Sequence, residues 1–168
     1  MRILGIDPGS RLTGYGCIDI TSAGPVLVEA GVFRLGDSAV PLPARLAELD
    51  RDLGESLGRL QPRVIGVEAV FSHTRWPGAA IVIAHARGVV LLRAAGAGAE
   101  LVEIPPAEVK KSLTGTGRAT KEQVRAAVKQ TLSPDAPLSP ADVSDALAIA
   151  LAAHPRAATA PAGLHSRR

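Results

Sequence analysis

The sequence predicts an α/β domain in which a five-stranded mixed sheet is flanked by helices. Three observations carry that prediction. Apolar runs of strand length recur at residues 2–7, 63–68 and 100–104, each stopped abruptly by a carboxylate or by proline. Two further β-branched runs, at residues 12–20 and 26–33, lie close enough to the first to pair with it as an antiparallel meander. Helical periodicity then alternates with the remaining strands, an order that belongs to layered α/β domains.

Taken in order, Arg2–Asp7 is a short buried strand that ends in the turn Pro8-Gly9. Leu12–Ile20 follows, its Gly14 and Gly16 marking close packing or a bulge. Thr21–Pro25 is a turn, Val26–Phe33 a third strand, and residues 35–42 a loop. From Pro43 a helix carries Leu46, Leu49, Leu53, Leu57 and Leu60 on one stripe, with Arg45, Glu48, Asp52, Glu55 and Arg59 elsewhere. Arg63–Glu68 repeats the design of the first strand. Residues 69–78 form a loop, and Ala79–Ala95 is a helix apolar on nearly all sides. Such a helix is either buried all round or paired with a second subunit. Glu100–Ile104 is the fifth strand. A short basic helix around residues 109–113, a glycine loop at 114–118 and a helix over about 120–132 come next. Ser139 and Pro140 supply an N-cap and first-turn proline for a last helix running to about Ala153. From His154 the chain turns to Ala, Pro, Gly and Arg. The expected organisation is therefore one domain over residues 1–153 and a disordered tail over 154–168.

Bulk composition narrows the class. The 168 residues suffice for one sizeable core, and with only 2% aromatics that core is built from aliphatic side chains. The single cysteine, Cys17, has no partner for an internal disulfide and suits a reducing cytoplasm. No 18-residue apolar run and no leader pattern point to a membrane. All four lysines fall between residues 108 and 130, where six cations face only Glu108 and Glu122. A basic block on a nearly neutral body fits a polyanion partner, or else a solvated helix face.

Four carboxylates stand out. Asp7 and Glu68 each terminate a core strand, on a rigid element that opens into the crevice where α/β sheets bind ligands. Asp before Pro-Gly is also ordinary turn chemistry. Asp142 and Asp145 lie three apart on one face of the last helix. Asp142 suits the helix dipole, whereas Asp145 lies deeper in an apolar helix and needs a partner. No lysine or arginine stands beside any of them in sequence. Four such groups together require a divalent cation, and oxygen-only ligation selects Mg²⁺ or Mn²⁺ over zinc. Among the remaining candidates, Phe71, His73 and Trp76 share one loop, and His85 reads as structural. The Thr114–Arg118 loop lacks the Gly-Lys-Ser/Thr ending of a nucleotide loop.

Five blocks occurring in order over residues 2–153 resemble the RuvC family of Holliday-junction resolvases. They are Gly-Ile-Asp7-Pro-Gly, Val-Glu68-Ala-Val-Phe71, His85-Ala-Arg-Gly88, Val109-Lys-Lys with Gly117-Arg-Ala-Thr-Lys121, and Asp142-Val-Ser-Asp145-Ala-Leu-Ala-Ile-Ala. The resemblance implies a ribonuclease-H-like fold and a homodimer joined through the apolar helix at 79–95. It implies an endonuclease that resolves four-way DNA junctions by paired nicks in recombination and repair, leaving 5′-phosphates. It casts Asp7, Glu68, Asp142 and Asp145 as catalytic ligands of two Mg²⁺ or Mn²⁺ ions per site, and Phe71 as a base-stacking residue. Lys110 and Lys121 then lie at the phosphate backbone, with Lys111 and Arg118 as further DNA contacts. It also suggests cooperation with a branch-migration helicase of the RuvA and RuvB type. Two rivals predict other behaviour: a sugar-kinase-like phosphotransferase needs two lobes, for which 168 residues are too few, and a non-catalytic junction-binding module needs neither metal nor the acids.

Overall fold

The computed structural model describes all residues except 37–38, 70–76, 134, 137 and 160–168. Its sheet is built from β1 (Arg2–Asp7), β2 (Leu12–Thr21), β3 (Gly24–Arg34), β4 (Val64–Glu68) and β5 (Glu100–Ile104). The strand order is β3-β2-β1-β4-β5. The first three strands form the expected meander, with antiparallel pairing and a bulge between Cys17 and Ile18. β4 and β5 add in parallel. A mixed sheet results because tight turns allow antiparallel neighbours, whereas β4 and β5 are each reached through a long helix.

Helices cover both faces. α1 (Leu42–Leu60) and α2 (Pro77–Gly96) lie on one side, and α3 (Pro106–Thr114), α4 (Lys121–Leu132) and α5 (Ala141–Thr159) on the other. Strand alternation splits the core accordingly. Leu4, Ile6 and Cys17 meet Leu49, Leu53 and Leu57 of α1. Ile3 and Ile18 face Val143, Leu147 and Ile149 of α5.

α5 sits unusually close to the sheet because glycines line its track. A Cβ on Gly5 would collide with the backbone of Ala146 and Ala150, and one on Gly14 with the carbonyl of Asp142. These contacts fix the depth and register of the helix, and with them its acidic residues.

Three readings need correction. The last helix begins at Ala141, after a cis Ser139–Pro140 bond, and continues to Thr159 rather than ending near Ala153. Its added turn is anchored where Arg156 donates to the Glu103 carbonyl at 3.1 Å and pairs with Glu108. Arg45 is buried, because its guanidinium crosses the end of the sheet to backbone carbonyls. His85 is exposed while Arg87 of the same helix is buried and pairs with Glu103. α2 itself is not buried all round: Ile81 is 57% and Leu92 71% exposed. By length and composition that helix could cross a membrane, but Arg87 and Arg93 tie it to Glu103 of β5 and Asp50 of α1.

Candidate active site

The site forms where the two central parallel strands end. Ile6 pairs with Val67, so Asp7 and Glu68 emerge side by side from the carboxyl ends of β1 and β4. Gly5 and Gly66 are register partners two residues earlier, and both abut α5. Alternation therefore turns both acids toward that helix. α5 starts at the same end of the sheet and presents Asp142 and Asp145 from its first two turns. All four predicted carboxylates thus converge on one end of the sheet.

Three of them line a cleft of about 310 Å³: Asp7, Glu68 and Asp145, together with Lys110, Lys121 and apolar Val109, Val124, Ala148 and Ile149. Asp142 stands beside it near Gly9. The electrostatics record the crowding. Asp7 is pushed up to about 7, first by burial and then by the charges of Glu68, Asp145 and Asp142. Glu68 is also raised, by burial and then by Asp145. Opposing them is Lys121, whose Nζ donates to Asp145 Oδ2 at 3.1 Å and whose own pKa is raised by that bond.

Local sequence pattern placed no counter-ion beside the acids, since the two residues are 24 apart in the chain; the ion pair supplies one, at a lysine that the resemblance had set near the phosphate backbone. Lys121 is the first residue of α4, a position where the helix dipole disfavours positive charge. A capping box fixes it there, Thr120 Oγ1 accepting from the Gln123 amide and Gln123 Oε1 from the Thr120 amide. Asp145 compensates the misfit.

The donor chemistry fits a hard divalent cation, since every candidate ligand is a carboxylate oxygen. No three such groups among the described residues are close enough to form a ready-made ligand shell. That spacing suits acids that repel one another, with Lys121 and Lys110 as the cations lining their cleft. Lys110 of α3 borders the cleft, while Lys111 and Arg118 are exposed nearby on α3 and in the following loop. Phe71, His73 and Trp76 lie outside the described residues. A larger groove, about 860 Å³, runs between the carboxyl halves of α1 and α2. Its charged residues, Asp50 and Arg93, pair with each other, so it holds no comparable chemistry.

Residues 3–154 match the family model described as crossover junction endodeoxyribonuclease RuvC. A relative of that description from Rhodopirellula baltica is 43% identical over 90% of this chain and 85% of its own length. One from Myxococcus xanthus is 42% identical over 100% of this chain and 88% of its own. The structure of Thermus thermophilus RuvC superposes with a TM-score of 0.85 at 32% identity, covering 95% of this chain and 98% of that one. The same protein in complex with Holliday junction substrate gives 0.83 at 30% identity, over 94% and 96% of the two chains. The yeast mitochondrial resolvase Ydc2, at 15% identity and a TM-score of 0.65, shares the fold.

Proposed function

The chain belongs to the RuvC family, and from that premise we propose that it is a divalent-metal-dependent endonuclease resolving four-way DNA junctions. The observation that carries the reading is Asp7, a carboxyl driven up to about 7 by burial and three neighbouring acids in a lysine-flanked cleft. A group so disfavoured as an anion is poised to exchange its proton for a metal ion.

Asp7, Glu68, Asp142 and Asp145 would hold the metal. Mg²⁺ or Mn²⁺ bound there, two ions per site, supplies an activated water and charge compensation at a departing 3′ oxygen. The protein's own groups prepare that chemistry. Asp7 would give up its proton to hold the ion, and Lys121, paired with Asp145, would stand beside an incoming phosphate. Lys110, on the same wall, fixes the strand beside it. Lys111, Arg118 and Phe71 extend the DNA surface in this reading.

Resolution requires two opposed strands to be cut, hence two sites. The apolar surface of α2, with Ile81 and Leu92 exposed, is the natural seam of a two-fold homodimer. Paired symmetric nicks would then serve recombination and repair in the cytoplasm, beside a branch-migration helicase of the RuvA and RuvB type.

The test is incubation of the protein with a mobile four-way junction, labelled on each strand in turn, in Mg²⁺ or Mn²⁺. Paired nicks bearing 5′-phosphates that a ligase reseals support the proposal. Binding without cutting in either metal favours a junction-binding module instead.

A further inference from the structure

We propose that Arg34, at the end of β3, holds a backbone phosphate on the far side of the acids from Lys110 and Lys121. The proposal rests on the junction-nuclease reading above.

Register places the residue. Asp7 pairs with Gly14, and Gly14 with Val32, so Val32 is level with Asp7 two strands away. Val32 packs into the core beneath α5, on the face the four acids occupy. Arg34 lies two residues further along the same strand and so on the same face, beyond the start of α5. Strand spacing and rise put its backbone about 12 Å from that of Asp7. A nucleic-acid strand entering past the lysines and crossing the acids leaves over this end of β3.

The Arg34 side chain is exposed and makes no ion pair or hydrogen bond among the described residues. Arg59, Arg87 and Arg93, by contrast, are engaged, with Glu29, Glu103 and Asp50 respectively. The corner that presents Arg34 is also rigidly built. Arg45, 7% exposed, donates from Nε to the Leu35 carbonyl at 2.6 Å and from a terminal nitrogen to the Ser10 carbonyl at 2.7 Å. The Leu35 amide in turn donates to the Arg11 carbonyl at 2.9 Å. The end of β3 is thereby clamped to the turn that follows Asp7. An acidic cleft with lysines on one side alone would hold a polyanion only at one edge, and Arg34, with exposed Arg11 at the same corner, adds charge on the other side.

The experiment measures equilibrium binding of a four-way junction and of linear duplex, without divalent metal, across a salt series. Wild type is compared with Arg34→Ala, Arg34→Gln and Arg34→Lys, and with Arg63→Ala at the opposite end of the sheet as control. Loss of one phosphate contact predicts that Arg34→Ala and Arg34→Gln bind roughly tenfold more weakly near physiological salt, with the logarithmic salt slope reduced by about 0.9. Arg34→Lys keeps the slope, and Arg63→Ala matches wild type. Neutral variants with wild-type slopes on both DNAs would overturn the assignment. Wild type showing no preference for the junction would instead overturn the resolvase reading, while the slopes still decide Arg34.

Discussion

Lys121 Nζ lies 3.1 Å from Asp145 Oδ2, so the acidic cluster carries its own cation. The pair is partly solvent-exposed, and its importance lies less in folding energy than in what it does to its neighbours. Lys121 is the one group that draws the Asp7 pKa downward, against burial and three acids that push it up.

Replacing Lys121 with Met should therefore move the Asp7 titration further above 7. Carboxyl-carbon NMR across pH 5–9 on the metal-free protein reads this directly. An unmoved midpoint would mean that Lys121 and Asp7 are not coupled.

Asp7 also makes stability depend on pH, with a definite sign. Its folded pKa, about 7, stands above the ordinary aspartate value of 3.8. The folded state therefore binds more proton between those values, and its stability declines as pH rises from about 4 to 7. Asp7→Asn removes the penalty, so metal-free protein at pH 8 should become more stable by on the order of 1–3 kcal/mol. Urea denaturation of the two proteins at pH 5 and pH 8 checks it, the gap being wider at the higher pH.

Metal should reverse the same penalty in the wild type. Saturation at a hundred times Kd adds about 2.7 kcal/mol. Thermal melts at pH 8 with and without Mn²⁺ should separate for wild type and coincide for a variant carrying both Asp7→Asn and Glu68→Gln.

The close approach of α5 to the sheet predicts a strictly structural effect elsewhere. Gly5→Ala forces a methyl group into the backbone of Ala146 and Ala150. A loss of about 3 kcal/mol or more is expected from such overpacking. Gly88→Ala, where nothing obstructs the added carbon, should leave the chemical-denaturation midpoint unchanged or raise it slightly.

How much of this was legible beforehand follows from the kind of information each feature needs. Asp7 and Glu68 were readable because each ends an apolar run, which is a local pattern. The meander of β1–β3 was readable for the same reason, through short turns. The Lys121–Asp145 contact was not, since it joins α4 to α5 across 24 residues. Arg45 was misplaced because a long cationic side chain on a helix ordinarily reaches water, whereas here it satisfies two carbonyls at the sheet corner. His85 was misread because α2, apolar nearly all round, has no polar face from which to tell inside from outside. The extra turns of α5 escaped notice because Pro155 is a helix breaker by rule, while the anchoring of Arg156 on Glu103 and Glu108 is a tertiary event. What spacing could not supply came from the family resemblance as expectation: a four-way-junction substrate, and DNA contacts at Lys110 and Lys121.

The most direct measurement is parallel binding and cleavage of a labelled four-way junction by wild type, Asp7→Asn and Glu68→Gln in Mg²⁺. The account predicts that all three bind with similar affinity, and that wild type alone cuts, each substitution slowing cleavage by at least about a hundredfold. Cleavage by either variant at the wild-type rate would contradict the claim that these four carboxylates are the reaction centre.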